Sequence, residues 1–205
     1  MITIVDYGMG NLFSIKSAIH YLGTESIISS DPDIIKNANK LILPGVGSFK
    51  KAIANLKKND LDGIIKESVI KRQTPILGIC LGMQLLSLSS TEDGLNDGLG
   101  FIDSSIERFN DKSSSNFKIP HVGFEAVSII RKSKLFEGLN SQVDFYFTHS
   151  YRMVFENQPY TVGTCFHGET FVAAFEKGNI CGTQFHPEKS QTNGLTVLKN
   201  FIEKF

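Results

Sequence analysis

The chain has 205 residues with 21 basic and 21 acidic side chains, so its formal net charge is zero and no bulk field draws it to nucleic acid or to an anionic membrane. That length suits one sizeable core, on a prior of about 100–200 residues per domain, and no stretch is apolar over the ~20 residues that a membrane helix requires. Three cysteines, Cys80, Cys165 and Cys181, are an odd number without metal-ligand spacing, which predicts neither a disulfide framework nor a zinc site.

The N-terminus, Met1 to Asp6, lacks the charged and apolar regions of a signal peptide, so a cytoplasmic protein is expected. Ile2 to Val5 reads as a β-branched strand. After the loop Asp6-Tyr7-Gly8-Met9-Gly10-Asn11, the helical spacing of Leu12, Ile15, Ile19 and Leu22 runs to Gly23. Gly8-Met9-Gly10 is an incomplete dinucleotide fingerprint, because Phe13 stands where the third glycine belongs. It reads instead as a glycine-rich turn, or as a loop whose amides meet a small ligand or partner.

A second unit follows: a strand from Ser26 to Ile28, then a short helix started by Asp31-Pro32. A third strand, Lys40 to Leu43, ends in Pro44-Gly45-Val46-Gly47-Ser48, and helices are expected at about 48–56 and 61–70. This β-α alternation predicts a parallel sheet with helices on both faces. Functional groups in such sheets gather beyond the carboxyl ends of strands, where the loops 6–11, 44–48 and 78–82 all fall.

Beyond residue 95 the texture turns strand-rich. Short strands are expected at 98–102 and 106–109, then a polar exposed loop at 110–116. Longer strands are expected at 118–127, 143–151, 160–166, 171–176 and 180–185. A helix carrying Leu195, Leu198, Phe201 and Ile202 closes the chain. No repeat or linker divides the two halves, so residues 1–205 read as one α/β domain whose sheet gains antiparallel strands.

The chemistry centres on Gly78-Ile79-Cys80-Leu81-Gly82. An apolar strand enters this segment and a helical pattern of Leu81, Leu85 and Leu88 leaves it, the form of a nucleophile elbow. Glycines on either side permit the tight turn, and a helix N-terminus favours a thiolate at Cys80. A cysteine in an apolar run also occurs as a small buried hydrophobe, the reading given to Cys165 and Cys181. His20 and His167 read as surface residues, and His121 and His149 have no acidic neighbour close in sequence. His186 differs, because Glu188 lies two residues on and shares its side of an extended chain. A histidine base requires such an acceptor on its second ring nitrogen, so Cys80, His186 and Glu188 form a candidate nucleophile, base and orienter.

Several segments, in order, resemble the class I (triad-type) glutamine amidotransferases, and within them the glutaminase subunits of imidazole glycerol phosphate synthase. They are Val5 to Asn11, Leu43 to Gly47, Leu77 to Leu85, His149-Ser150-Tyr151 and Gln184 to Ser190. The resemblance implies a flavodoxin-like fold with a mostly parallel central sheet, helices on both faces and added antiparallel strands. It also implies a glutaminase that forms a cysteine thioester, with no cofactor and no metal. Leu81 and Val46 or Gly47 are expected to supply oxyanion amides. Gly47, Gln84, His149, Ser150 and Tyr151 are expected to hold glutamine; Gln84 reads equally as a polar helix residue.

By the same resemblance, ammonia passes to a separate synthase barrel, in a cytoplasmic heterodimer of histidine biosynthesis. Asn11, Phe124 and Lys189 are expected near that partner, although Asn11 reads equally as a helix cap and Lys189 as a solvated side chain. One segment departs from the family pattern. Pro120-His121-Val122-Gly123-Phe124-Glu125 stands where these proteins typically read Pro-His-Met-Gly-Trp-Asn, and the chain contains no tryptophan. This supports a second reading, a paralogue feeding another synthase, such as one that makes amidino-modified surface sugars. Two further classes remain: a hydrolase acting on peptides or γ-glutamyl compounds, and a silent binding module with a redox-sensitive Cys80.

Overall fold

The computed structural model describes residues 1–110, 117–155 and 160–205. Strand and helix alternate through the first half: β1 (Ile2–Val5), α1 (Leu12–Tyr21), β2 (Ser26–Ser29), α2 (Pro32–Lys36), β3 (Lys40–Leu43), α3 (Phe49–Lys58), α4 (Leu61–Lys66), β4 (Ile76–Ile79) and α5 (Leu81–Leu85). The helix starts follow local chemistry. The Asp31 carboxylate accepts the amides of Asp33 and Ile34 at 2.8 and 3.2 Å, with Pro32 in the first position, a cap worth about 1 kcal/mol. Ser48 caps α3 through the Lys51 amide. Asn11 stands at the start of α1, but its side chain makes no capping bond, so that reading of Asn11 fails. The second helix of the 48–71 region ends in a wider π turn, Glu67–Lys71.

The second half supplies β5 (Ser87–Ser90), β6 (Asn96–Asp97), β7 (Ile102–Arg108), β8 (His121–Ile129), β9 (Gln142–His149), β10 (Tyr151–Val154), β11 (Thr161–His167), β12 (Glu169–Lys177) and β13 (Ile180–Thr183). A short 3-10 turn, Pro187–Lys189, then leads to α6 (Gln191–Lys204). Nine strands form one sheet in the order β2-β1-β3-β4-β13-β12-β11-β8-β9. Its first five are parallel, in the flavodoxin-like order, and the last four join by antiparallel ladders. Helices cover both faces. α1 and α6 bury Ile15, Ile19, Val197 and Phe201 on one side, and α3 and α4 bury Phe49, Leu56, Leu61 and Ile65 on the other. Each such side chain contributes roughly 1.5–3 kcal/mol of burial, which fixes the sheet between two apolar layers.

A second sheet, in the order β10-β7-β5-β6, was not legible from the pattern. It changes three expectations. The helix after Cys80 stops at Leu85, and Leu88 lies half exposed in β5 instead of continuing a helical stripe. The expected strand at 98–102 is extended only from Ile102, because the Gly98, Leu99 and Gly100 amides are spent on the Leu88, Leu85 and Ser87 carbonyls. The run at 143–151 breaks at Ser150, since Tyr151 leaves the large sheet to pair with Arg108 in the small one. The polar loop expected at 110–116 lies outside the described residues, apart from Asn110.

Candidate active site

Cys80 sits between β4 and α5 at φ +54° and ψ −111°, a conformation that costs a non-glycine residue of order 1–3 kcal/mol. The surroundings enforce it. The Cys80 amide donates to the Thr183 carbonyl at 2.7 Å, and the Cys80 carbonyl already accepts from Gln84 within the helix. A Cβ on Gly82 would lie 1.7 Å from the Leu43 carbonyl oxygen, and one on Gly78 would lie 2.7 Å from the Met83 backbone. Both glycines are therefore required for the helix to start so close to the ends of β3 and β4. The elbow expected from the sequence is present for the steric reason expected.

The base is built from the neighbouring strand. β13 pairs with β4, so the chain leaving Thr183 passes the elbow and places His186 beside it. His186 Nδ1 lies 2.9 Å from Glu188 Oε1, with both side chains almost wholly buried. Nε2, the other ring nitrogen, is buried without a hydrogen-bond partner among the described residues. Burial alone would lower the His186 pKa. The Cys80 sulfur and then the Glu188 carboxylate, both beside the ring, outweigh it and raise the imidazole to about 10. The arrangement therefore favours a charged imidazolium between the sulfur and the carboxylate. Ser190 holds the ring's backbone: its Oγ donates to the His186 carbonyl at 2.7 Å and accepts the Tyr146 amide at 2.9 Å.

Cys165 and Cys181 behave differently. Burial, followed by the Glu125 charge, pushes the Cys165 thiol up to about 12, and burial pushes Cys181 well above its ordinary value. Both are free core thiols, as their sequence context suggests.

A cavity of about 380 Å³ opens over the elbow, lined by Val46, Gly47, Cys80, Leu81, Gln84, Glu92, Pro120 and the segment 148–151. It gathers all the residues expected for the oxyanion and for glutamine. Leu81 occupies the first position of α5, where an amide lacks an intrahelical acceptor. Gly47, at φ +105°, lets the 45–47 loop turn into the cavity wall. Tyr7, buried beneath this loop, donates its hydroxyl to the Pro44 carbonyl at 2.7 Å. A larger groove of about 860 Å³ lies among residues 129–141 and Glu176, but neither cysteine nor histidine lines it.

Two expected substrate ligands are more constrained than their sequence suggests. Gln84 Nε2 donates to the Tyr151 carbonyl at 3.1 Å and to Gln184 Oε1 at 3.0 Å, so only its carbonyl oxygen is open to a ligand. His149 uses both ring nitrogens, Nδ1 on the Tyr151 carbonyl at 2.8 Å and Nε2 on His121 Nδ1 at 3.2 Å. Burial lowers His149 to about 3. The Tyr151 carbonyl opposes that shift, and the charges of His121, His167 and His186 reinforce it. Burial and then the His167 charge lower His121 to about 4. His149 thus faces the cavity as a neutral ring with fixed orientation, and it meets a ligand through its carbons or its backbone.

His167 is not a plain surface residue. Its ring stacks on His121 with centroids 3.9 Å apart, beside Phe109 and Phe117. Glu92 was missed altogether. It enters the cavity from the loop after β5, held by the Phe49 amide at 3.0 Å. Burial, and then the Asp93 charge, raise its pKa against the opposing effect of that amide. Only the small sheet brings residue 92 to this place, so no local signal announced it.

The expected partner residues lie outside the cavity. Phe124 is half exposed and edge-on to Tyr146, with centroids 5.5 Å apart, and Lys189 Nζ lies 5.5 Å above the same ring. Asn11 is partly exposed in the loop before α1. Among the described residues no cluster of His, Cys, Asp and Glu could hold a metal ion, and no helix is long and apolar enough to cross a membrane.

Comparison with known proteins gives the family of the chain. The family model for glutamine amidotransferase class-I matches residues 3–205. The chain is 46% identical to "Imidazole glycerol phosphate synthase subunit HisH 2" of Methanococcus maripaludis, covering 100% of each chain. It is 42% identical to "Imidazole glycerol phosphate synthase subunit HisH 1" of Campylobacter jejuni, covering 98% of each. Among solved structures, PurLQS from Thermotoga maritima shares the fold at a TM-score of 0.76 and 18% identity, covering 98% of this chain and 96% of the other. The chain belongs to the class I glutamine amidotransferase family, on the branch that holds the HisH subunits of imidazole glycerol phosphate synthase.

Proposed function

We propose that this chain is the glutaminase subunit of an imidazole glycerol phosphate synthase, hydrolysing glutamine in the cytoplasm and passing ammonia to a synthase subunit in a heterodimer. The observation that carries this reading is the His186 ring, paired with Glu188 at 2.9 Å through Nδ1 and presenting an otherwise unpartnered Nε2 on the Cys80 side.

The chemistry follows from those three side chains. The Cys80 thiolate attacks the carboxamide carbon of glutamine, and negative charge moves to the amide oxygen. The Leu81 amide and one from Val46 or Gly47 receive that charge. As the tetrahedral intermediate collapses, His186 Nε2 gives its proton to the departing nitrogen, so ammonia leaves and a thioester remains. The neutral imidazole then removes a proton from water, which attacks the thioester and frees glutamate and the cysteine. Glu188 holds the ring's tautomer throughout and stabilises its charged form. In the cavity, Gln84, His149, Ser150, Tyr151 and Gly47 enclose the amino-acid end of glutamine.

Asn11, Phe124 and Lys189 mark the face toward the synthase barrel. Phe124, Glu125 and Val122 are exposed there, which favours a second reading in which the barrel is that of a different ammonia-using synthase. The test is to mix the purified chain with the cyclase subunit of imidazole glycerol phosphate synthase and its nucleotide ligand, then follow complex formation and glutamate release. A stable complex with stimulated, Cys80-dependent glutamate release supports the histidine assignment. Cys80-dependent release that the cyclase neither binds nor raises directs the chain to another acceptor.

A further inference from the structure

We propose that Gln184 is a thiolate-stabilising residue, donating its side-chain amide to the Cys80 sulfur in an orientation fixed by Gln84. The proposal rests on the glutaminase reading for its purpose, though not for its test. Gln184 is fully buried, and its Nε2 lies 3.6 Å from Cys80 Sγ. Its backbone is pinned by the Ala173 carbonyl at 2.8 Å. The chain bends at Gln184 and Phe185 as it leaves β13, and Phe185 packs against Phe136, Phe145 and Phe147.

The direction of the amide follows from its neighbours, without reliance on how its oxygen and nitrogen are drawn. The Tyr151 carbonyl can only accept, so the side-chain group of Gln84 that meets it at 3.1 Å must be the NH2. That same nitrogen lies 3.0 Å from the Gln184 side chain, so the Gln184 atom facing it must be the oxygen. The nitrogen of Gln184 is then left facing the sulfur. Neither amide can flip without placing two like groups in contact in a buried site.

This donor matters because of what lies on the sulfur's other side. The Thr148 carbonyl oxygen is 3.8 Å from Cys80 Sγ, where it accepts from a thiol but repels a thiolate. A buried anion requires donors, since a buried and unpaired charge is unfavourable. His186 supplies one charged donor, and it must give up that proton when ammonia leaves. Gln184 cannot lose its proton, so it remains a donor to the sulfur through attack, thioester formation and release of the thiolate. Its contribution is largest in states where the sulfur carries charge, so it favours the nucleophilic thiolate over the thiol.

The test uses Gln184→Met, which keeps length and buried volume but removes the donor, and Gln184→Glu, which keeps the acceptor for Gln84 while removing the amide donor. Cys80 alkylation by iodoacetamide is followed by peptide mapping across pH in the intact chain, a readout that needs no glutaminase activity. Both variants are expected to alkylate about tenfold more slowly near pH 7, with the profile displaced to higher pH, since a hydrogen bond to a charged group has roughly that weight. Their glutamine kcat should fall by a similar factor while KM changes little. An alkylation profile unchanged in a folded variant overturns the proposal. If Gln184→Met fails to fold, Gln184→Leu, which likewise removes the donor without adding a charge, decides it by the same readout. Loss of glutaminase with wild-type alkylation would assign Gln184 to packing alone.

Discussion

His186 Nδ1 and Glu188 Oε1 stand 2.9 Å apart in a pocket that leaves neither side chain more than 2% exposed. Two residues apart in sequence, they are held in this register by the turn Pro187–Lys189 and by Ser190, which bridges β9 to the His186 carbonyl. The carboxylate acts only through the ring, so its removal should spare substrate binding. Glu188→Gln is expected to lower kcat about a hundredfold to ten-thousandfold with KM for glutamine little changed. The alkaline limb of its rate profile should also move down from about pH 10, the region where the wild-type imidazolium loses its proton. Steady-state kinetics from pH 6 to 10.5 measure both effects.

Stability should fall on both sides of a maximum near pH 6.5. In the unfolded chain His121 and His149 gain protons as pH drops through about 6.5, whereas the folded chain resists until about 4 and about 3. Unfolding therefore takes up protons in that interval, and the folded state weakens by up to about 1.4 kcal/mol per pH unit for each histidine. His186, raised to about 10, works the other way: its contribution is complete below about 6.5 and is lost as pH climbs through 10. Urea unfolding at pH 4.5 to 9 checks the curve. His149→Gln should flatten the acid side without affecting the alkaline side.

The elbow has a steric signature of its own. Gly82→Ala places a Cβ against the Leu43 carbonyl oxygen, which is fixed sheet backbone and cannot swing aside. A loss of ~3 kcal/mol or more is expected, equivalent to a fall in Tm of roughly 6–12 °C. Thermal unfolding followed by circular dichroism measures it. Gly63→Ala is the control, because no atom lies within 4 Å of its added Cβ.

Glu92 gives a prediction about recognition. Its carboxylate lines the cavity, held by the Phe49 amide, and its charge suits the ammonium end of an amino acid. Glu92→Gln should raise KM for glutamine about tenfold and change kcat little, since a charge-assisted hydrogen bond to substrate is lost before the chemical step. Equal KM values in the variant and the parent would remove Glu92 from the substrate site.

What was legible in the sequence was local. Gly78-Ile79-Cys80-Leu81-Gly82 and His186-Pro187-Glu188 each carry their geometry within a few residues, through backbone sterics in one case and, in the other, through the proline-started turn Pro187–Lys189, which stands where an extended chain was expected. The β-α alternation to residue 79 was equally plain. What could not be read depends on register between distant strands. His121 meets His149 only because β8 and β9 pair with those two residues opposite one another. Glu92 reaches the cavity only through β5 and β7, whose serine-rich partner strand mimics the end of a helix. Gln184 reads as one more residue in a strand until Gln84 and Tyr151 are placed beside it.

The most direct test of the account is glutamate release from glutamine by the purified chain and by Cys80→Ala, in the presence of the cyclase subunit and its nucleotide ligand. The account predicts one glutamate per glutamine consumed with the parent and no release above background with the variant. Release that persists in Cys80→Ala would contradict the assignment of the nucleophile, and with it the reaction derived from this site.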